Sequence, residues 1–115
     1  MHDRITQLND LIRDILGEII VREVSFKQGI ICTVTRVETA RSLRSTHVFL
    51  SILPVEDRAY ALKTIEHEHH RIEWLFHKKL ATRPLPKLFF KLDTTAEKAD
   101  EIERLVQSIH NERGE

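Results

Sequence analysis

The residues best suited to chemistry stand close together in Glu66-His67-Glu68-His69-His70, with His77 downstream. Imidazoles and carboxylates hold transition metals when a helix sets them three or four positions apart. Glu66/His69, Glu66/His70 and His67/His70 meet that spacing. A zincin helix needs two histidines four apart, but the position four beyond His67 is Arg71, a cation that repels a dication. His69 falls on the apolar side of its run, where a histidine is expected to be a hydrogen-bonded packing residue. Cys32 sits among apolar neighbours and no motif supplies it with an activating base. Ser42, Ser45 and Ser51 belong to no nucleophile motif, and glycines at 17, 29 and 114 alone cannot write a phosphate-binding loop. The expectation is a protein with no catalytic residue, metal, cofactor or small-molecule substrate. A metal-binding protein using Glu66, His67, His69 and His70 stands as the alternative.

The other chemistry on offer is electrostatic. Lys and Arg number 18, as do Asp and Glu, so the formal net charge is zero, yet the charges are segregated. Between residues 71 and 91, Arg71, Lys78, Lys79, Arg83, Lys87 and Lys91 face only Glu73. The stretch 25–53 is also basic, while the opening, middle and closing segments are acidic. Such a dipolar chain can present a basic face to phosphates. The expected phosphate contacts are Arg71, Lys78, Lys79, Arg83 and Lys87, with Arg41 and Arg44 as second choices. Trp74 lies on the helical flank of Arg71 and Lys78, where it could stack on an unpaired base. Large aromatics are usually mostly buried, so Trp74 is expected to pack at the edge of the core.

The elements that must position these residues come from periodicity. At 115 residues and 13.5 kDa, with 41% hydrophobic and 31% charged residues, the chain reads as one soluble domain over 1–115. No apolar run approaches the length of a membrane span and the start, Met1-His2-Asp3-Arg4, lacks an apolar h-region, so a cytoplasmic protein is expected. Ile5, Leu8, Ile12, Ile15, Leu16 and Ile19 predict a helix over Asp3 to Arg22. Gly17 inside it implies either a close approach or a weak last turn. The β-branched runs Ile30–Val37 and Thr46–Leu53 predict an antiparallel hairpin, ended by Pro54. Val55 to Leu80 is helical and long enough to bend or split. Thr82–Pro86 is a stiff link, and Lys87–Leu92 is a third strand. Thr94-Thr95-Ala96-Glu97 reads as a capping box opening a last helix, with Ala99, Ile102, Leu105, Val106 and Ile109 on its inner face.

Thr33-Val34-Thr35-Arg36-Val37, Leu43 and Val48-Phe49-Leu50-Ser51 are similar to the T-V-T-x-V strand, the turn with D-L and the V-Y-V-S strand of the ribosome-binding factor A family. Arg83-x-x-Pro86-x-Leu88-x-Phe90-x-x-Asp93 resembles its R-x-x-P-x-L-x-F-x-x-D segment. The likeness runs from about Arg4 to Ile109. It implies an α+β, type II KH-like fold: α-β-β-α-kink-α-β order, a three-stranded sheet packed on its helices, and here a further C-terminal helix. The family's A-x-G kink is replaced by Glu68-His69-His70, and Ser42 stands where the family has Asp.

The resemblance further implies a non-catalytic ribosome biogenesis factor. Such a factor binds the immature small ribosomal subunit and assists late maturation of its rRNA. A KH domain grips single-stranded nucleic acid through a GxxG loop, which this chain lacks. Docking by shape and phosphate contacts is therefore expected, by a monomer, with no membrane partner. A KH-like protein-interaction module without an RNA role is the rival reading.

Overall fold

In the computed structural model, residues 3–81 and 83–112 are described. The first helix, α1, runs Arg4–Glu23, and the Asp3 carboxylate caps it by accepting from the Thr6 N–H at 2.8 Å. The apolar spacing buries Ile12, Leu16, Ile19 and Ile20 along one stripe. Gly17 has open space where a Cβ would be, so no close approach calls for it, and the helix continues through it to Glu23. Gly17→Ala is therefore expected to raise stability by about 1 kcal/mol, read as a higher urea midpoint at unchanged slope.

Strands β1 (Ile31–Thr39) and β2 (Ser45–Leu53) form the expected antiparallel hairpin. Val34 pairs with Leu50 and Arg36 with Phe49, so Thr35 is an extra, bulged residue. The bulge shifts the alternation: Val34 and Val37 both face the core, while Thr35 and Arg36 both face outward. In β2 the alternation is regular, and Thr46, Val48, Leu50 and Ile52 point inward. Leu43, in the turn, has a φ of 62°, an uncommon conformation for a branched residue, and its N–H donates to the Ala40 carbonyl.

The long helical stretch is broken. After a short 3-10 turn at Val55–Asp57, α2 covers Arg58–His67 and α3 covers His69–Lys79. Glu68, at φ −91° and ψ 6°, is the joint. Ala61, Ile65, Ile72 and Phe76 bury against α1 and the sheet. This helical crossover permits the parallel pairing of β3 (Lys87–Leu92) with β2, giving the order β1-β2-β3. The architecture is the α+β arrangement expected, with α1, α2 and α3 on one face of a three-stranded sheet. Thr82, at the start of the expected stiff link, lies outside the described residues.

The last helix, α4 (Thr95–Glu112), departs from expectation. Ala99, Ile102, Leu105, Val106 and Ile109 do not form an inner face: the four large ones are 48–64% exposed. The helix projects from the domain, and the radius of gyration is 17.4 Å against about 13 Å for a compact chain of this length. The capping box is replaced too. Asp93 accepts from the Thr95 N–H and hydroxyl at 3.0 and 2.6 Å, while the Glu97 carboxylate pairs with Arg58. That ion pair and the Asp93 cap tie the first turn of the helix to α2 and to the end of β3.

Candidate nucleic-acid interface

The two flanks of α3 do different work. One faces β3. There His69 Nε2 lies 3.2 Å from Glu73 Oε2, and its ring meets Phe90 edge-on at 5.4 Å. Glu73 accepts the Leu88 N–H at 2.9 Å, and His77 Nε2 lies 2.8 Å from the Pro86 carbonyl. Burial works against the Glu73 charge, but the Leu88 N–H and His69 outweigh it and hold the carboxyl below its ordinary range. The lone acid of the basic segment is thus a clamp that gives an edge-strand N–H its partner. Beside it runs a groove of about 460 Å³ lined by Glu66, His69, His70 and the strand Lys87–Lys91. Of the three residues at the kink, His69 and His70 line this groove and Glu68 does not.

The other flank of α3 turns toward α1. Arg71 donates to the Glu23 carbonyl at 2.8 Å and carboxylate at 2.6 Å, and stands 3.7 Å from Glu68. These bonds fasten α3 to the end of α1. Trp74 is not at the edge of the core: it is 59% exposed, with Lys78 Nζ 4.2 Å from its ring centroid. The inner positions of α3 are already filled by Ile72 and Phe76, and Trp74 lies outside that stripe.

The remaining candidate cations collect at one end of the sheet. The Lys87 N–H donates to the Arg44 carbonyl at 3.0 Å, so the hairpin turn carrying Arg41 and Arg44 abuts the start of β3. Lys78 and Lys79 lie in the last turn of α3, where the helix dipole favours cations, and residues 80–86 lead from there to Lys87. Arg83 is exposed in that link. Glu56, Asp57 and α4 lie at the opposite end, beyond Leu53 and Leu92. The segregated charge of the sequence becomes a basic pole and an acidic pole. Arg41, Arg44, Lys79, Arg83 and Lys87 belong to the basic pole, Lys78 and Trp74 run up to it, and Arg71 does not join it. Lys91, which is not among the expected contacts, lies on the same strand as Lys87 and is exposed.

Among the described residues no group of three His, Cys, Asp or Glu converges as a metal ligand set. Burial pushes the Cys32 thiol up to about 11, far from a reactive thiolate. No helix among the described residues is long and apolar enough to cross a membrane.

The two motifs that carry the resemblance meet in space. Thr35, from the T-V-T strand, donates its hydroxyl to Asp93, the last residue of the second motif, at 2.6 Å. The sequence pattern of ribosome-binding factor A matches residues 4–106. The chain belongs to the ribosome-binding factor A family. The family's member from Thermomicrobium roseum is 36% identical over 111 residues, covering 96% of this chain and 86% of its own. The Protochlamydia amoebophila member is 34% identical, with the same shares covered. The crystal structure of ribosome-binding factor A from Thermus thermophilus superposes with a TM-score of 0.68 at 19% identity, over 78% of this chain and 97% of that one. A homology model of the Thermus thermophilus factor, fitted into a cryo-EM map of a 30S complex, gives 0.64 at 19% identity, over 76% and 93%.

Proposed function

We propose that this chain is a non-catalytic factor that binds the immature small ribosomal subunit through rRNA phosphates and assists its late maturation. Membership of the ribosome-binding factor A family supports the small subunit as partner, since a Thermus thermophilus member is described in a 30S complex. The observation that carries the mode of binding is the basic pole, where Arg44 and Lys87 adjoin although 43 positions separate them. Lys78, Lys79, Arg83 and Lys87, seconded by Arg41 and Arg44, meet phosphates, while Arg71 holds the helix that presents them. Work is done by favouring one rRNA conformation, which needs no acid, base or nucleophile. The factor acts as a monomer in the cytoplasm.

Co-sedimentation with ribosomal fractions at graded salt tests this reading. Binding to free or immature small subunits, over large subunits and whole ribosomes, is expected, and it falls steeply as salt rises. Binding indifferent to moderate salt would instead favour a protein-interaction role, to which the uncovered apolar stripe of α4 would be suited.

A further inference from the structure

The face of the sheet away from the helices is not bare. The outward residues form two cross-strand rows: Glu38, His47 and Phe89 in one, and Arg36, Phe49 and Lys91 in the next. The bulge at Thr35 is what turns Arg36 to this side, and its guanidinium lies 3.8 Å over the Phe49 ring. The His47 and Phe89 rings stack, with centroids 5.3 Å apart and planes 23° from parallel. Phe89 is 47% exposed on the edge strand, so among the described residues the ring face turned from His47 has no further strand beside it. Lys87 and Lys91 flank it two residues either side, on the same face. Arg36 is neutralised by Glu38 and approached by Asp93 at 3.8 Å, and so offers a stacking plane rather than net charge. Lys87 and Lys91 form no ion pair among the described residues and carry the free positive charge.

We propose that this open sheet face is a second contact surface for RNA, binding a short unpaired segment by base stacking on Phe89 and on the Arg36–Phe49 pair, with Lys87 and Lys91 on its phosphates. The proposal deepens the rRNA-binding reading and rests on it for the source of the strand. Aromatic rings on a sheet, interleaved with cations, suit unpaired bases because every base has a stacking face. A duplex keeps its bases stacked on one another and offers these rings nothing. Cross-strand aromatic pairs also steady a sheet, so fold and binding must be read separately.

The test uses the full-length protein and a fluorescein-labelled eight-nucleotide single-stranded RNA, compared with a hairpin duplex of the same length. Phe89→Thr keeps a β-forming residue on the strand, and Lys91→Ala removes one free cation. Circular dichroism and thermal melts confirm that each variant folds. Phe89→Thr is expected to weaken single-strand binding about tenfold while sparing the duplex. Lys91→Ala is expected to make the salt dependence shallower by somewhat under one unit of slope. Unchanged single-strand affinity in folded Phe89→Thr would overturn the proposal. Equal, Phe89-dependent binding of an acidic amphipathic peptide would overturn it too, assigning the face to a protein. Co-sedimentation with small subunits is scored apart. If it fails while Phe89-dependent RNA binding persists, the ribosomal reading falls and the surface stands; the reverse pattern removes only the surface.

Discussion

Replacing Lys78, Lys79, Arg83 and Lys87 together by Ala is expected to weaken binding to the small subunit by roughly 10²–10³-fold near 0.1 M salt. Each cation lost from a phosphate contact keeps its condensed counterion on the RNA, and the slope of log affinity against log salt falls by about 0.7–0.9 per contact. Four contacts therefore make the slope shallower by about 3. These side chains lie at the end of α3, in the following link and at the start of β3, none in the core, so the variant should melt close to wild type. Arg71→Ala is the internal comparison. Its guanidinium is held by Glu23 and Glu68. Its loss should move the melting temperature slightly, since a half-exposed ion pair contributes under about 1 kcal/mol, and leave the salt slope alone. A slope unchanged in the fourfold variant, or a drop in slope with Arg71→Ala alone, would mean that the pole is wrongly drawn.

Asp93→Ala is expected to cost about 2–3 kcal/mol of stability, near 10 °C in melting temperature. The Asp93 side chain is only 11% exposed and accepts from the Thr35 hydroxyl, the Thr95 hydroxyl and the Thr95 N–H. Its own N–H donates to Leu50. One residue therefore joins the bulge of β1, the end of β3 and the start of α4. Those hydrogen bonds, the Thr35 hydroxyl foremost, together with the weaker pull of the Arg36 charge, bring its carboxyl down from 3.8 to about 2. A carboxyl depressed by folding adds stability in full above its unfolded value and loses it as pH falls toward the folded one. The stability gap between wild type and Asp93→Asn should therefore be constant above about pH 5, narrow below pH 4 and close only below about pH 2. Urea melts across that range check it, and a gap independent of pH would contradict the assignment.

How much of this was legible beforehand depends on whether a feature is local. Helix α1, the hairpin, the bend in the long helix and strand Lys87–Leu92 follow from periodicity and breakers within a few residues, and they fall where the pattern puts them. Even the break at Glu68 lies inside the run that stands in for the family's kink motif. The stripe on α4 misled because periodicity tells which residues share a face, not whether anything covers that face. Trp74 misled for a related reason: size argues for burial, but its place on the wheel lies beyond Ile72 and Phe76.

The site was legible in part. Charge counting found the basic stretch, but the pairing of Arg71 with Glu23 spans 48 residues and no spacing rule reveals it. The meeting of Arg44 with Lys87 is likewise set by the parallel pairing of β2 and β3. The aromatic sheet face did leave a signal. Lys87, Phe89 and Lys91 alternate with Leu88 and Phe90, a period of two that puts the three on one side. What the sequence could not say is that His47 and Phe49 stand beside them, since that needs the register.

The most direct test of the basic pole as the RNA-facing end is local cleavage of rRNA by iron–EDTA tethered to single cysteines. In a Cys32→Ser background, one variant carries Lys79→Cys, at the end of α3, and another Glu56→Cys, at the acidic pole. Cleavage of small-subunit rRNA from position 79, and little or none from position 56, is the expected result. Cleavage from position 56 alone, or equal cleavage from both, would contradict it.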